Sequence, residues 1–116
     1  DTFSKSDPIA IVFSVGADGK RTELGRTEKI DNNEDPDFKT AVQLTMPAAG
    51  DVNVVVSVND TDDITAKDLL GEVSTTMSKL FAGPEVAASL VDAKGKPVQK
   101  GGKDSTIRLV KVAVKP

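Results

Sequence analysis

The chain has 116 residues, enough for one domain with a modest core and too few for two. A net charge of −3, with four Phe as its whole aromatic content, argues against a nucleic-acid binder, which would show a basic face with stacking aromatics. With no His and no Cys, the Ser-His-Asp and Cys-His arrangements, disulfides and thiolate metal sites are all excluded. Catalysis would have to rest on carboxylates, Lys or a metal, so an enzyme is the minority reading. No apolar run approaches the roughly 20 residues that span a bilayer, and no signal-peptide pattern opens the chain. The absence of Cys fits a cytosolic protein.

Residues 9–15 (IAIVFSV) read as a strand with Ile9, Ile11, Phe13 and Val15 on one face. Asp18-Gly19 marks a hairpin turn after it. The Gly19-Lys20 pair is not a phosphate loop, because Ser14 and Arg21 stand where that motif needs Gly and Ser or Thr. Residues 24–30 form a more polar strand, and 31–36 (DNNEDP) a dense turn. Over 38–46, Phe38, Thr40, Val42, Leu44 and Met46 alternate inward against Lys39, Ala41, Gln43 and Thr45. Val52, Val54, Val56 and Val58 are the inward face of the next strand, and 69–73 (LLGEV) is a further short apolar segment.

The spacing predicts a two-turn helix over 75–82, capped by Ser74 or Thr75, stopped by a left-handed Gly83 and closed off by Pro84. Strand 86–91, a Gly- and Lys-rich loop over 92–103, and strand 106–114 complete the chain. In the last strand Ile107 and Leu109 lie in one phase and Val110, Val112 and Val114 in the other, which implies a bulge or burial on both faces. Six or seven short strands, one connector helix and no βα alternation indicate an all-β antiparallel sandwich.

Residues 60–68 (DTDDITAKD) carry four aspartates. Two carboxylates about 5 Å apart at an effective dielectric of about 20 repel by roughly 3 kcal/mol. They must be splayed into water, protonated, or collected around a cation. Asp1 and Asp7 stand just before the first strand. If both loops lie at one end of the sandwich, Asp1, Asp7, Asp60, Asp62 and Asp68 converge. A loop-built cage of hard, charged oxygens suits Ca²⁺ better than Zn²⁺ or Mg²⁺. An EF-hand is ruled out in this register: Ile64, Thr65 and Gly71 occupy its fifth, sixth and twelfth positions, the last two where Gly and Glu are required. The plainer alternative is a set of turn and cap aspartates in a solvated loop.

Residues 4–8 (SKSDP), 32–38 (NNEDPDF), the acidic loop and 69–73 resemble, in order and spacing, the C2 domain family. The opening DTFSKSDP, the step at 25–28 (GRTE) and the stretch 92–96 (DAKGK) look most like the first C2 domain of copines. The resemblance implies a Greek-key β-sandwich over 1–116, forming a single C2 domain and part of a larger protein, since copines carry two C2 domains and a von Willebrand A-like domain. It implies Ca²⁺ ligation by Asp1, Asp7, Asp60, Asp62 and Asp68, with Thr65 as an auxiliary hydroxyl and Thr2 and Thr61 as backbone-carbonyl donors. The family's first strand precedes the first calcium loop, whereas this chain begins inside that loop, so that strand is expected to be missing. Asp63 stands where relatives often carry a basic residue facing lipid, and the strand face that is polybasic in some relatives holds little beyond Lys39.

The implied function is Ca²⁺-dependent docking on anionic, phosphatidylserine-type membranes. Phe3 and Ile64 are the expected lipid-contacting tips, each contributing about 1.5–3 kcal/mol if buried in the interface. A cytoplasmic protein that translocates with Ca²⁺ to the inner face of the plasma membrane or to other membranes would result. The alternative is a protein-interaction C2 domain in which Ca²⁺ is structural and the partner is another protein. No nucleic acid and no catalytic residue is expected.

Overall fold

The computed structural model describes residues 7–30, 38–45, 50–60, 69–100 and 102–110. Its strands are β1 (Ile9–Val15), β2 (Arg21–Arg26), β3 (Asn53–Asn59), β4 (Leu69–Thr76), β5 (Glu85–Ser89), β6 (Gln99–Lys100), β7 (Lys103–Asp104) and β8 (Thr106–Val110). Among the described residues one helix, α1 (Met77–Ala82), separates β4 from β5. The larger sheet has the order β2-β1-β3-β4 and is antiparallel throughout. β5 pairs with β8, and β6 with β7, in two further antiparallel ribbons. This is the all-β antiparallel architecture expected of a C2-type sandwich, with one short helix.

The core lies on one face of the four-stranded sheet. Ala10 and Val12 of β1, Val54, Val56 and Val58 of β3, and Val73 of β4 bury there with Met77 and Leu90. Ala88, Ile107 and Leu109 from the β5–β8 ribbon pack against them, as do Phe38, Val42 and Leu44. The valine alternation in β3 therefore points inward as its period requires. Gly71 opposite Val58 is demanded by this packing: a Cβ there would sit 2.8 Å from the Leu90 Cβ.

On β1, the stripe Ile9, Ile11 and Phe13 faces the other way and forms a second buried cluster. Its register neighbours on β3, Val55, Ser57 and Asn59, are buried too. Arg21 of β2 lies over the Phe13 ring, 5.8 Å from its centroid, and makes a two-point ion pair with Glu72 of β4 at 3.0 and 3.1 Å. That pair links the two edge strands across the face. The guanidinium stem contributes apolar cover there, while its charge is met by the carboxylate.

Several expectations are corrected. Residues 38–45 alternate in burial, with Phe38, Val42 and Leu44 half-buried, but Thr40 is exposed. The segment forms no ladder among the described residues, and the Lys39 and Thr40 amides donate instead to the Glu28 carboxylate at 2.8 and 3.2 Å. Met46 lies outside the described residues. The second strand runs from Arg21 rather than Leu24, with a register shift opposite Val12 and Phe13. The helix begins two residues later than expected, at Met77: Thr76 is the N-cap, accepting from the Lys79 amide at 3.3 Å. Asp51 reinforces that end by accepting from the Ser78 amide at 3.0 Å and from its hydroxyl. Gly83 is extended at φ −137° and ψ 173°, not left-handed, so Pro84 and the entry into β5 end the helix. In β8 Ile107 and Leu109 take the inner phase and Val110 is exposed; Val112 and Val114 lie outside the described residues.

The Asp18-Gly19 hairpin forms as expected. Gly19 takes φ +82°, and the Asp18 carboxylate accepts from the Lys20 amide at 3.0 Å. It closes the end of the sheet where Val15, Asn53 and Thr76 stand in register.

Candidate metal centre

The opposite end of the sheet is where Ile9, Asn59 and Leu69 stand side by side. Residues 1–6 lead into β1, residues 61–68 join β3 to β4, and residues 31–37 follow Ile30, whose amide donates to the Pro8 carbonyl at 3.0 Å. Antiparallel pairing of β1, β3 and β4 sets the start of β1, the end of β3 and the start of β4 side by side at this end.

Asp7 and Asp60, 53 residues apart, are joined directly. The Asp7 amide donates to Asp60 Oδ1 at 2.7 Å, and both residues are half-buried. Such a charge-assisted bond is among the stronger kinds and fixes the orientation of the Asp60 carboxylate. Just before it, the register between β3 and β4 shifts at Val58 and Asn59, a bulge that re-aims the strand end into the loop. Asn59, at the end of β3, is buried and donates from Nδ2 to Ser57 Oγ of the same strand at 3.0 Å. Pro8, also buried, holds the other side.

Of the residues expected to ligate metal, Asp7 and Asp60 are therefore brought to one place. Asp1, Thr2, Thr61, Asp62, Thr65 and Asp68 lie outside the described residues, as do the expected lipid-contacting Phe3 and Ile64. The donor set implied by the sequence fits a hard divalent cation: five carboxylates, a hydroxyl and carbonyls, with no sulfur or imidazole.

One residue that matters to this end was not singled out from the sequence. Glu28 accepts from the amides of Lys39 and Thr40 and so clamps the base of the 31–37 connection. The Lys39 amide above all holds its carboxyl below the usual range. No local pattern signals this, because Glu28 acts on residues eleven and twelve positions away.

A family model for the C2 domain matches residues 1–91, most of the chain. The chain belongs to the C2 domain family. Among characterised proteins this C2 domain is 33% identical to copine-B of Dictyostelium discoideum over 105 residues, covering 83% of the chain and 20% of that protein. It is 31% identical to copine-A over 98 residues and 32% identical to copine-E over 90 residues, both from the same organism. Those alignments cover 83% and 72% of the chain, and 16% of each relative. The C2 domain thus spans about a fifth or less of the copines it matches. C2 domains are Ca²⁺- and phospholipid-binding modules as a class and are non-catalytic. The C2 resemblance read from 4–8, 32–38, 60–68 and 69–73, and the copine likeness read from 1–8, 25–28 and 92–96, are borne out.

Proposed function

We propose that this C2 domain docks onto anionic phospholipid membranes, phosphatidylserine-rich ones in particular, when Ca²⁺ fills a cup formed by Asp1, Asp7, Asp60, Asp62 and Asp68. Thr65 would add a hydroxyl, and Thr2 and Thr61 backbone carbonyls. The observation that carries the reading is the 2.7 Å hydrogen bond from the Asp7 amide to Asp60 Oδ1, which ties the two aspartate-bearing segments at one end of the sandwich.

The electrostatics support a switch. Residues 1–8 and 60–68 together hold six aspartates and two lysines, a net charge of −4. Without metal this end is repelled by an anionic bilayer. Two Ca²⁺ ions would cancel that charge and leave coordination positions for lipid phosphate or carboxylate oxygens, with little change in the fold. Phe3 and Ile64 would enter the interface at the loop tips, while Asp63 opposes deep insertion. On this reading the protein moves from the cytoplasm to the inner face of a membrane as Ca²⁺ rises.

Co-sedimentation with vesicles tests it. Phosphatidylserine-containing vesicles should pull the protein down in Ca²⁺ and release it in EDTA, and pure phosphatidylcholine vesicles should do neither. Equal pull-down in Ca²⁺ and EDTA would sink the proposal.

A further inference from the structure

The turn after β5 carries lysines to the same end of the sandwich as the aspartates. β4 starts at that end, and Val91 bridges Glu72 of β4 in antiparallel sense, with hydrogen bonds of 2.8 and 2.9 Å. The chain at Val91 is therefore heading back toward the aspartate end. It reverses in a tight turn: the Asp92 amide donates to the Lys96 carbonyl at 2.8 Å, and Gly95 takes φ +83°. At about 3.3 Å per residue the tip reaches roughly 7–10 Å past Val91. That is comparable to the three residues separating Glu72 from Leu69, where the acidic loop ends.

The turn is tied by hydrogen bonds and its lysines are exposed. Asp92 Oδ1 accepts from the amides of both Lys94 and Lys96 at 2.9 Å, and both lysines are exposed. Of the nearby described carboxylates, Asp92 is held first by these amides and only then by the two lysine charges, Asp104 accepts from Gln99 Nε2 at 2.9 Å, and Glu72 pairs with Arg21. Among the described residues neither Lys94 nor Lys96 is in an ion pair.

We propose that the Lys94–Lys96 turn is a second contact for an anionic bilayer, independent of metal and set beside the aspartate cup. The inference rests on the membrane-docking reading above. A flat surface approaching this end of the sheet meets the turn, and its negative headgroups complement two exposed ammonium groups that are in no ion pair among the described residues. Each lysine near such a surface strengthens binding about fivefold at physiological ionic strength, and the effect fades beyond a Debye length.

The experiment compares two double variants of equal charge change. Lys94→Gln/Lys96→Gln removes the turn's charge. Lys20→Gln/Lys79→Gln removes the same charge from the far end, where the β1–β2 hairpin and α1 lie. Binding to phosphatidylserine/phosphatidylcholine vesicles is measured at saturating Ca²⁺ and at several salt concentrations, with Ca²⁺ affinity measured separately without lipid. The expected result is about 25-fold weaker vesicle binding and a shallower salt dependence for Lys94→Gln/Lys96→Gln, with the far-end pair within about twofold of wild type. Equal losses in both pairs would reduce the effect to net charge and overturn the proposal. Tighter lipid-free Ca²⁺ binding in Lys94→Gln/Lys96→Gln would also overturn it, by assigning the lysines to the aspartates. If the wild type binds vesicles with Ca²⁺ and Lys94→Gln/Lys96→Gln binds equally well, this inference alone fails. If the wild type does not bind, the docking reading fails and takes the inference with it.

Discussion

Replacing Asp60 by Asn separates its structural duty from its proposed metal duty. The side chain accepts the Asp7 amide through Oδ1 at 2.7 Å, and an Asn carbonyl can accept the same bond. The exchange turns a charge-assisted bond into a neutral one, a loss of about 1 kcal/mol. It also removes one charge from a cluster in which neighbouring carboxylates repel by up to about 3 kcal/mol at 5 Å and an effective dielectric near 20. The two effects oppose each other, so without metal the melting temperature should move by no more than a few degrees. Ca²⁺ changes the comparison. At a free concentration 100 times its dissociation constant, a ligand bound only by the folded state stabilises by about 2.7 kcal/mol. In a domain of this size that raises the melting temperature by about 10 °C or more. Wild type should show that rise between EDTA and Ca²⁺, and Asp60→Asn should lose most of it. A full wild-type increment in Asp60→Asn, confirmed by undiminished affinity in calorimetric titration, would remove Asp60 from the ligand set.

Asp62→Asn should behave in the same way in calorimetry, with Ca²⁺ binding abolished and the fold spared. Gly71→Ala would press a methyl to 2.8 Å from the Leu90 Cβ, which cannot swing aside as a side-chain tip can. Overpacking of this kind costs about 1–3 kcal/mol, read as a lower urea midpoint with unchanged slope. Asp51 has its carboxyl held below the usual range, first by the Ser78 hydroxyl and then by the Ser78 amide. A lowered folded-state value means that its stabilisation is present above the unfolded value of about 3.9 and is lost as pH falls through the folded value. Asp51→Asn should therefore be less stable than wild type at pH 7, with the gap closing toward pH 3 in urea titrations; a gap independent of pH would contradict the assignment. Ile64→Asp should weaken Ca²⁺-dependent vesicle binding while leaving lipid-free Ca²⁺ affinity nearly intact, which co-sedimentation and calorimetry together would show.

The parts of the fold legible in the sequence are those governed by local period and turn chemistry. Val54, Val56 and Val58 alternate inward as a half-buried strand should, and Asp18-Gly19 forms the hairpin its residue types demand. What escaped was decided by groups distant in sequence. Residues 38–45 keep their alternating burial, yet Glu28 takes two of their amides. The Ile9, Ile11 and Phe13 stripe looked like one side of a strand. It buries away from the main core, and over its Phe13 end lies Arg21, paired with Glu72 51 positions away. Gly83 seemed a left-handed stop because that is the commonest use of Gly there, but Pro84 and β5 draw it into extended geometry. At the candidate metal centre, the meeting of Asp7 with Asp60 follows from antiparallel topology and is readable once the strands are placed. The placement of Lys94 and Lys96 at the same end is not, because it depends on the bridge between Glu72 and Val91.

Thermodynamic linkage supplies the most direct test. If lipid oxygens complete the coordination of Ca²⁺ held by the aspartates, lipid must raise Ca²⁺ affinity by the same factor by which Ca²⁺ raises lipid affinity. Ca²⁺ titrations followed with and without phosphatidylserine-containing vesicles measure that factor. The account predicts at least a tenfold tighter apparent Ca²⁺ affinity with phosphatidylserine and no change with phosphatidylcholine alone. Ca²⁺ affinity that is the same with phosphatidylserine, with phosphatidylcholine and without lipid would contradict it, leaving Ca²⁺ a structural ion uncoupled from membranes.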